Sequence, residues 1–249
     1  MISAGIRFTK FHAPGMAKSF AEVDGGLTKI PAANFSVGTF ETISVKTVDE
    51  LKAFIENLRP GDFLTAGIHQ TLTSGNCGPG GSDIHRTKEM FPFAAGSPGL
   101  LTIDSDSLDK LGLSDMNSYA TALEKLVGDA DYVLSPSASS EIAHNGIVGP
   151  TKGIHAFLFI EDAAAIPEAL ETLHKRSVAI GYARPLIIKD GKILTRSLVD
   201  TAMKTSNQPC FEGGAILGAG IMQAREVVCK PAAVVCQKCL FRSFLSPFP

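Results

Sequence analysis

The sequence lacks three features that would place it in familiar classes: a long apolar run, an excess of basic residues and an even set of cysteines. Its apolar runs are far shorter than the roughly 20 residues that span a bilayer as a helix. Its first residues do not show the basic-then-apolar pattern of a signal peptide. We therefore expect a cytoplasmic protein with no membrane partner.

The five cysteines form an odd, uneven set, which argues against a secreted disulfide framework. Cys236 and Cys239 have the spacing of a zinc knuckle, and Cys229 lies nearby in the sequence. These three are candidate ligands for a zinc ion. Ordinary free thiols are the alternative, because no fourth ligand is evident nearby.

The net charge of −2 gives no general basic footprint for nucleic acid, but the charge is unevenly distributed. Residues 100–141 contain eight acidic residues and two lysines, whereas residues 171–204 contain seven basic residues and three acids. An acidic segment beside a basic one suits a metal site that faces a polyanion. A solvated charged surface is the alternative explanation.

The composition, 45% hydrophobic and 19% charged, is that of a globular protein. Apolar periodicity predicts both strands and helices. Residues 73–83 are a Gly-rich stretch without the ending of a P-loop, so we expect a surface loop there. The predicted elements are strands at 39–45, 62–68, 132–134 and 154–160, helices after a capping box at 47–50, after a Ser114 cap and at 162–176, and a hairpin around Asp190-Gly191. This order predicts an α+β fold with a largely antiparallel sheet.

Two carboxylates follow the apolar run at residues 100–103. In an extended segment residues i and i+2 share a face, so Asp104 and Asp106 point the same way. Their mutual repulsion favours a cation between them, and carboxylate oxygens suit Mg²⁺ or Mn²⁺. The alternative is a strand end followed by an aspartate that caps the next helix.

Further polar residues complete a candidate site. Asp200, after an apolar pair, would add the third carboxylate of a two-metal centre, and His155 and Lys152 would neutralise a triphosphate. Arg86 and Lys88 precede the acidic strand and could reach an anion near the metals. Each of these residues has an alternative, purely structural explanation. His155 would be a core histidine, Asp200 a helix cap, and the basic residues solvated surface charge.

The order of these motifs resembles the archaeo-eukaryotic primase superfamily, especially the primase-polymerases of phages, plasmids and integrated elements. The matching residues are Asp104-Ser105-Asp106, then Ser135-Pro136-Ser137 with Lys152-Gly153-Ile154-His155, and last Leu198-Val199-Asp200. The sequence departs from the family in one respect, because Ser137 and His155 lie far apart. An inserted loop at residues 138–150 would reconcile this difference.

The resemblance implies a catalytic core with an RRM-like, mostly antiparallel sheet flanked by helices, plus an N-terminal α/β addition. It implies two Mg²⁺ or Mn²⁺ ions on Asp104, Asp106 and Asp200. The nucleotide would be held by His155, Lys152 and Ser137, and Arg196 occupies a position where related sequences often carry a basic residue. The expected division is an N-terminal subdomain at 1–85, the core at 86–228 and a tail at 229–249.

The function that the resemblance implies is that of a DNA primase or polymerase in the replication of a mobile element or phage. A 3′-hydroxyl would attack the α-phosphate of a dNTP or NTP, with loss of pyrophosphate. The expected partners are a single-stranded DNA template and a replicative helicase. Two alternatives stay open: a haloacid-dehalogenase-like phosphatase, whose Asp-x-Asp also follows an apolar strand, and a non-catalytic replication-initiator module that binds DNA.

Overall fold

The computed structural model describes residues 5–32, 34–35, 37–78, 84–106, 108–187 and 190–230. The strands in this part of the chain are β1 (Ile6–His12), β2 (Ser19–Val23), β3 (Gly26–Ile30), β4 (Gly38–Val45), β5 (Asp62–Thr65), β6 (Ser74–Cys77), β7 (Gly99–Asp106), β8 (Tyr132–Pro136), β9 (Ile142–His144), β10 (Ile147–Val148), β11 (Gly153–Ile160), β12 (Ala183–Ile187), β13 (Ile193–Ser197), β14 (Cys210–Phe211), β15 (Ile216–Leu217), β16 (Met222–Gln223) and β17 (Val228–Lys230). The α-helices are α1 (Val48–Glu56), α2 (Met116–Val127) and α3 (Ile166–Ala179), and short 3-10 helices cover Pro14–Met16, Leu108–Leu111, Ala163–Ala165 and Thr201–Lys204.

A nine-stranded mixed sheet forms the centre of the molecule. Its main path runs β14-β5-β1-β7-β11-β8-β17, and β4 joins β1 to β6. Of its paired strands, β1 and β7 are parallel, at Arg7 and Gly99, and the other pairs are antiparallel. The fold is therefore α+β with a mostly antiparallel sheet, as predicted.

The helices bury one apolar stripe each in the main core. Leu51 of α1, Leu123 of α2 and Leu170 of α3 are fully buried there, together with Ile103 and Phe157 from the central strands. These side chains remove apolar surface from water, the dominant favourable contribution to folding. This core fixes the central strands that carry the polar residues described below.

An aromatic cluster lies apart from the main core. Phe11 of β1 stacks on Phe63 of β5 with 5.2 Å between ring centroids, Phe91 packs edge-on against Phe11, and Phe40 packs edge-on against Phe91. Phe8, which points to the opposite side of β1, belongs to the main core. Both faces of β1 are therefore covered.

Several predicted elements are confirmed, and two local predictions are wrong. The helix cap is Asp115 rather than Ser114, because the Asp115 carboxylate accepts the amide of Ser118 at 2.8 Å while the Ser118 hydroxyl binds the Asp115 amide. Residues Ser74–Cys77 of the expected loop pair with β4 as β6.

Strands from both sides of residue 85 share the nine-stranded sheet, since β1, β4, β5 and β6 precede it and β7, β8, β11, β14 and β17 follow it. Cys236 and Cys239 lie outside the described residues. Cys229 is in β17, where its thiol donates to Asp49. Among the described helices none has the length and apolar character needed to cross a membrane.

Candidate metal and nucleotide site

Two rows of polar residues cross three neighbouring strands. In the first row Asp104 of β7 pairs with His155 of β11, and His155 pairs with Ser135 of β8. In the second row Asp106 pairs with Gly153. The rows are two residues apart on each strand, so they lie on the same face of the sheet.

Ser137 belongs to the second row, because its amide donates to the carbonyl of Gly153 at 2.8 Å. A Cβ at Gly153 would lie 3.0 Å from Asp106 Oδ1 and 3.3 Å from Ser137 Oγ. The β9–β10 hairpin accounts for the separation of Ser137 and His155 along the chain. The insertion expected at residues 138–150 therefore contains this hairpin, while β8 and β11 on either side of it remain paired.

The third acidic residue lies next to the first. The amide of Asp200 donates to the carbonyl of Asp104 at 3.0 Å. Ser105 points to the other side of β7, where its hydroxyl donates to the carbonyl of Leu198 and lies 2.9 Å from the Tyr119 hydroxyl of α2. Ser105 therefore joins β7, α2 and the segment that carries Asp200.

The three carboxylates impose an electrostatic cost on one another. Burial raises the pKa of Asp104, and the negative charges of Asp106 and Asp200 raise it further, while His155 and Lys18 oppose the rise. Asp104 Oδ1 is buried and accepts no hydrogen bond from any residue that the structure describes. A buried acceptor without a partner beside two more carboxylates is chemically suited to a divalent cation.

Asp200 also has local partners. Its Oδ1 accepts the amide of Ala202 at 2.9 Å, so Asp200 caps the 3-10 helix, as the helix-cap alternative predicted. Its Oδ2 accepts Arg196 Nη1 at 3.2 Å across a partly exposed ion pair. Arg196 is therefore at the site, and the cap fixes the direction of the Asp200 carboxylate.

His155 is held by a buried carboxylate that the motifs did not reveal. Its Nε2 lies 3.5 Å from Asp104 Oδ1, and its Nδ1 contacts Glu212 Oε1. The fully buried Glu212 also accepts the Ser135 hydroxyl at 2.6 Å and faces Arg225 at 3.7 Å. These contacts fix the imidazole at the end of the first row.

The buried charges favour a protonated imidazole. Burial alone would lower the pKa of His155, but Cys210, Glu212 and Asp104 raise it well above its ordinary value. Burial raises the pKa of the Cys210 thiol to about 12, so this thiol is neutral near pH 7. The two carboxylates therefore supply the negative charge that keeps His155 protonated.

Two sets of side chains have donor atoms suited to metal ions. The first is the all-oxygen set of Asp104, Asp106 and Asp200, which suits Mg²⁺ or Mn²⁺. The second is the buried group of His155, Cys210 and Glu212, whose donor atoms lie within 4.8 Å of one another and could hold a metal ion. In the second set His155 and Glu212 already bind each other, so an ion there would have to replace that contact.

Three lysines are linked electrostatically to the acidic residues or to one another. Burial lowers the pKa of Lys29 of β3, the charges of Lys18 and of Lys152, which precedes β11, lower it further, and Asp106 opposes the shift. Lys18 also acts on Asp104. The predicted Lys152 thus lies among basic residues from the N-terminal segment.

Two predicted anion-binding residues have their described contacts elsewhere. The Arg86 guanidinium lies over the rings of Phe35 and Phe63, at 5.3 and 5.6 Å, and donates to the Asn207 carbonyl. Lys88 is exposed and lies 4.0 Å from Glu89. Among the described residues, neither Arg86 nor Lys88 contacts any of the three aspartates.

Motif spacing did not identify Glu212, Cys210, Lys18 or Lys29. Glu212 had a weak signal, since it is a single acid between an apolar pair and Gly213-Gly214. The lysines had none, because scattered lysines are ordinary surface residues. Comparisons with protein-family profiles, with curated proteins and with solved structures find no match to this chain. Its function is therefore inferred from the arrangement of its side chains.

Proposed function

We propose that this protein is a nucleotidyltransferase of the primase-polymerase kind, which adds nucleotides from a dNTP or NTP to a 3′-hydroxyl on a single-stranded DNA template. The observation that supports this proposal most strongly is the meeting of Asp104, Asp106 and Asp200 at the end of β7, with His155 beside Asp104. Paired carboxylates, a third acid and a cationic histidine are the groups that metal-assisted phosphoryl transfer requires.

The order of elements also supports a primase-like core. The chain runs through β7, α2, β8, β11 and α3 in that order. The segment at 198–200 then brings it back to β7. The pairing β7-β11-β8 places the first and last motifs side by side. An RRM-like core would have its acids and its histidine on one sheet face, which fits this arrangement.

Asp104, Asp106 and Asp200 would hold the divalent ions. When bound, Mg²⁺ or Mn²⁺ would activate the attacking hydroxyl and stabilise the charge on the leaving pyrophosphate. The buried Asp104 Oδ1 fits this role, because it accepts no hydrogen bond from the described residues and a cation there would relieve its repulsion with Asp106 and Asp200.

The other side chains would bind and orient the nucleotide. A protonated His155 would neutralise phosphate oxygens, while Glu212 and Ser135 hold its ring in place. Gly153 leaves the space between Asp106 and Ser137 free of a side chain. The partly exposed Arg196 could turn from Asp200 to a phosphate when ions bind the carboxylates.

The phosphatase alternative is less well supported. Haloacid-dehalogenase-like enzymes carry Asp-x-Asp on a strand within a parallel sheet. Here β7 pairs antiparallel with β11 along its full length, and its parallel contact with β1 is one residue pair. A phosphoryl group on Asp104, detected by mass, would be the result that favours this alternative.

The proposal is tested by incubating the purified protein with a primed or unprimed single-stranded template, labelled dNTPs or NTPs, and Mg²⁺ or Mn²⁺. We expect template-dependent incorporation that stops when EDTA removes the metal. DNA binding without incorporation under any of these conditions would reject the enzyme and favour the initiator module.

A further inference from the structure

The β2–β3 hairpin presents two lysines on one of its faces. Lys29 of β3 pairs with Phe20 of β2. Lys18 is two residues before Phe20, and its carbonyl accepts the amide of Ile216 at 2.9 Å, which continues the extended course of β2. Side chains two residues apart on a strand share a face, so Lys18, Phe20 and Lys29 lie on the same side of the hairpin.

This face is fixed against the segments that form the site. Phe20 is buried against Ile142, Ala215 and Ile221. Glu22 of β2 also binds His144 at 3.0 Å. Ile142 and His144 belong to β9, within the insertion between Ser137 and Gly153. The β2–β3 hairpin is therefore anchored to the segment that connects these two residues of the second row.

The lysine positions follow from this anchoring. Lys18 Nζ lies 6.0 Å from the ring centroid of Phe211, the residue before the buried Glu212. Lys29 and Lys152 come from different segments. Burial lowers the pKa of Lys29, the charges of Lys18 and Lys152 lower it further, and the negative charge of Asp106 opposes the shift. Among the described residues none of the three lysines forms a salt bridge to a carboxylate.

A group of lysines without ion-pair partners repels itself, and an anion between them would remove that cost. The anion would have to lie next to Asp106 and Asp104, where the divalent ions would bind. A metal-bound polyphosphate fits both requirements. A template backbone fits less well, because it needs cations spread along a path rather than gathered at one point.

We propose that Lys18 and Lys29, together with Lys152, bind the triphosphate of the incoming nucleotide, so that the N-terminal hairpin forms one wall of the nucleotide site. This inference rests on the proposed function and extends it by assigning a substrate-binding role to residues outside the three motifs. Lysine suits this role because its ammonium is a compact point charge that can reach several phosphate oxygens.

The test compares the wild-type protein with Lys18→Met, Lys29→Met and the double variant, and with Lys46→Met as a control on an exposed lysine before α1. Binding of magnesium tripolyphosphate and of magnesium dATP is measured by calorimetry, and binding of single-stranded DNA by fluorescence anisotropy. We expect each lysine variant to weaken tripolyphosphate binding roughly tenfold. The control variant and DNA binding should change little.

Unchanged tripolyphosphate affinity in the double variant would overturn the inference, as would a loss of DNA affinity with nucleotide affinity retained. Lys29→Arg keeps the charge and should retain most of the affinity, which separates lost charge from altered folding. The failure of the proposed function would look different, since a wild-type protein without nucleotide incorporation can still bind tripolyphosphate through these lysines.

Discussion

The amide of Asp200 donates to the carbonyl of Asp104 at 3.0 Å, although the two residues are far apart in the sequence. This contact places the third acid beside the first two before any ion binds. Burial and the mutual repulsion of the three acids raise the pKa of Asp104, so the site is under electrostatic strain. Removing a charge from this group should therefore have opposite effects on stability and on activity.

Asp104→Asn should increase the free energy of unfolding at neutral pH in metal-free buffer while it abolishes nucleotide incorporation. Since the pKa of Asp104 is raised in the folded protein, its ionised form destabilises the fold, and stability falls as the pH rises through the folded pKa. The gain should vanish below the ordinary aspartate pKa of about 3.9. Urea unfolding with EDTA measures it, with the exposed Asp109→Asn as control.

Gly153→Ala should reduce both the rate of nucleotide incorporation and the stability of the protein. The added Cβ would lie 3.0 Å from both Asp106 Oδ1 and the Ser105 carbonyl, so the Asp106 carboxylate must move. Overpacking of this kind costs about 1–3 kcal/mol, and a small displacement of a catalytic group can cost about 100-fold in rate. Gly26→Ala is the matched control, because the atom its Cβ would meet in the described part of the chain is the Val23 carbonyl oxygen, at 3.6 Å. Equal incorporation rates for both variants would contradict the crowded geometry.

Tyr119→Phe should destabilise the protein by about 1 kcal/mol, since it removes the contact with Ser105 at 2.9 Å inside the core. Ser105→Ala should cost about 1–3 kcal/mol, because it leaves the buried Leu198 carbonyl without its donor. It should also slow incorporation, since Ser105 positions the Asp200 segment. Tyr182→Phe is the control, because among the described residues that hydroxyl binds the exposed Lys125 alone, at 3.3 Å. Full activity of Ser105→Ala would remove its positioning role.

Glu212→Gln should destabilise the protein by about 3–5 kcal/mol, because it removes the nearer of the two carboxylates that neutralise the buried cationic His155. The exposed Glu41→Gln, which breaks a surface pair with Lys10, should change stability little and serves as the control.

The difference between wild type and Glu212→Gln should depend on pH. The folded pKa of His155 is raised, so the stability from its charge is complete below about pH 6.5 and is lost as the pH rises through the raised pKa. The folded pKa of Glu212 is lowered, so its contribution is present above about pH 4.3 and is lost at lower pH. The difference should therefore be greatest between these values, and a difference independent of pH would contradict the ion pair.

Local patterns in the sequence were sufficient to predict the strands that carry the site. An apolar run followed by Asp-x-Asp predicts β7, and the run at 154–160 predicts β11. The cap before α2 was misplaced by one residue because Ser114 and Asp115 can both accept an amide, and only the geometry of the turn selects Asp115.

The surroundings of the site depend on contacts between distant segments. Glu212 reaches His155 because β14 pairs with β5, and the β2–β3 hairpin that carries Lys29 is held against the insertion because Phe20 packs on Ile142 of β9. No local spacing contains this information. The same applies to Ser137, whose distance from His155 in the sequence concealed its position beside Gly153.

Extension of a labelled primer on a single-stranded template, with Mg²⁺ or Mn²⁺, tests the metal site most directly when the wild-type protein is compared with Asp106→Asn, Asp200→Asn and Asp109→Asn. We expect extension by the wild type and by Asp109→Asn, and none by the other two variants, all four being folded. Extension by a folded Asp106→Asn or Asp200→Asn variant at the wild-type rate would contradict a shared divalent-metal centre at these aspartates.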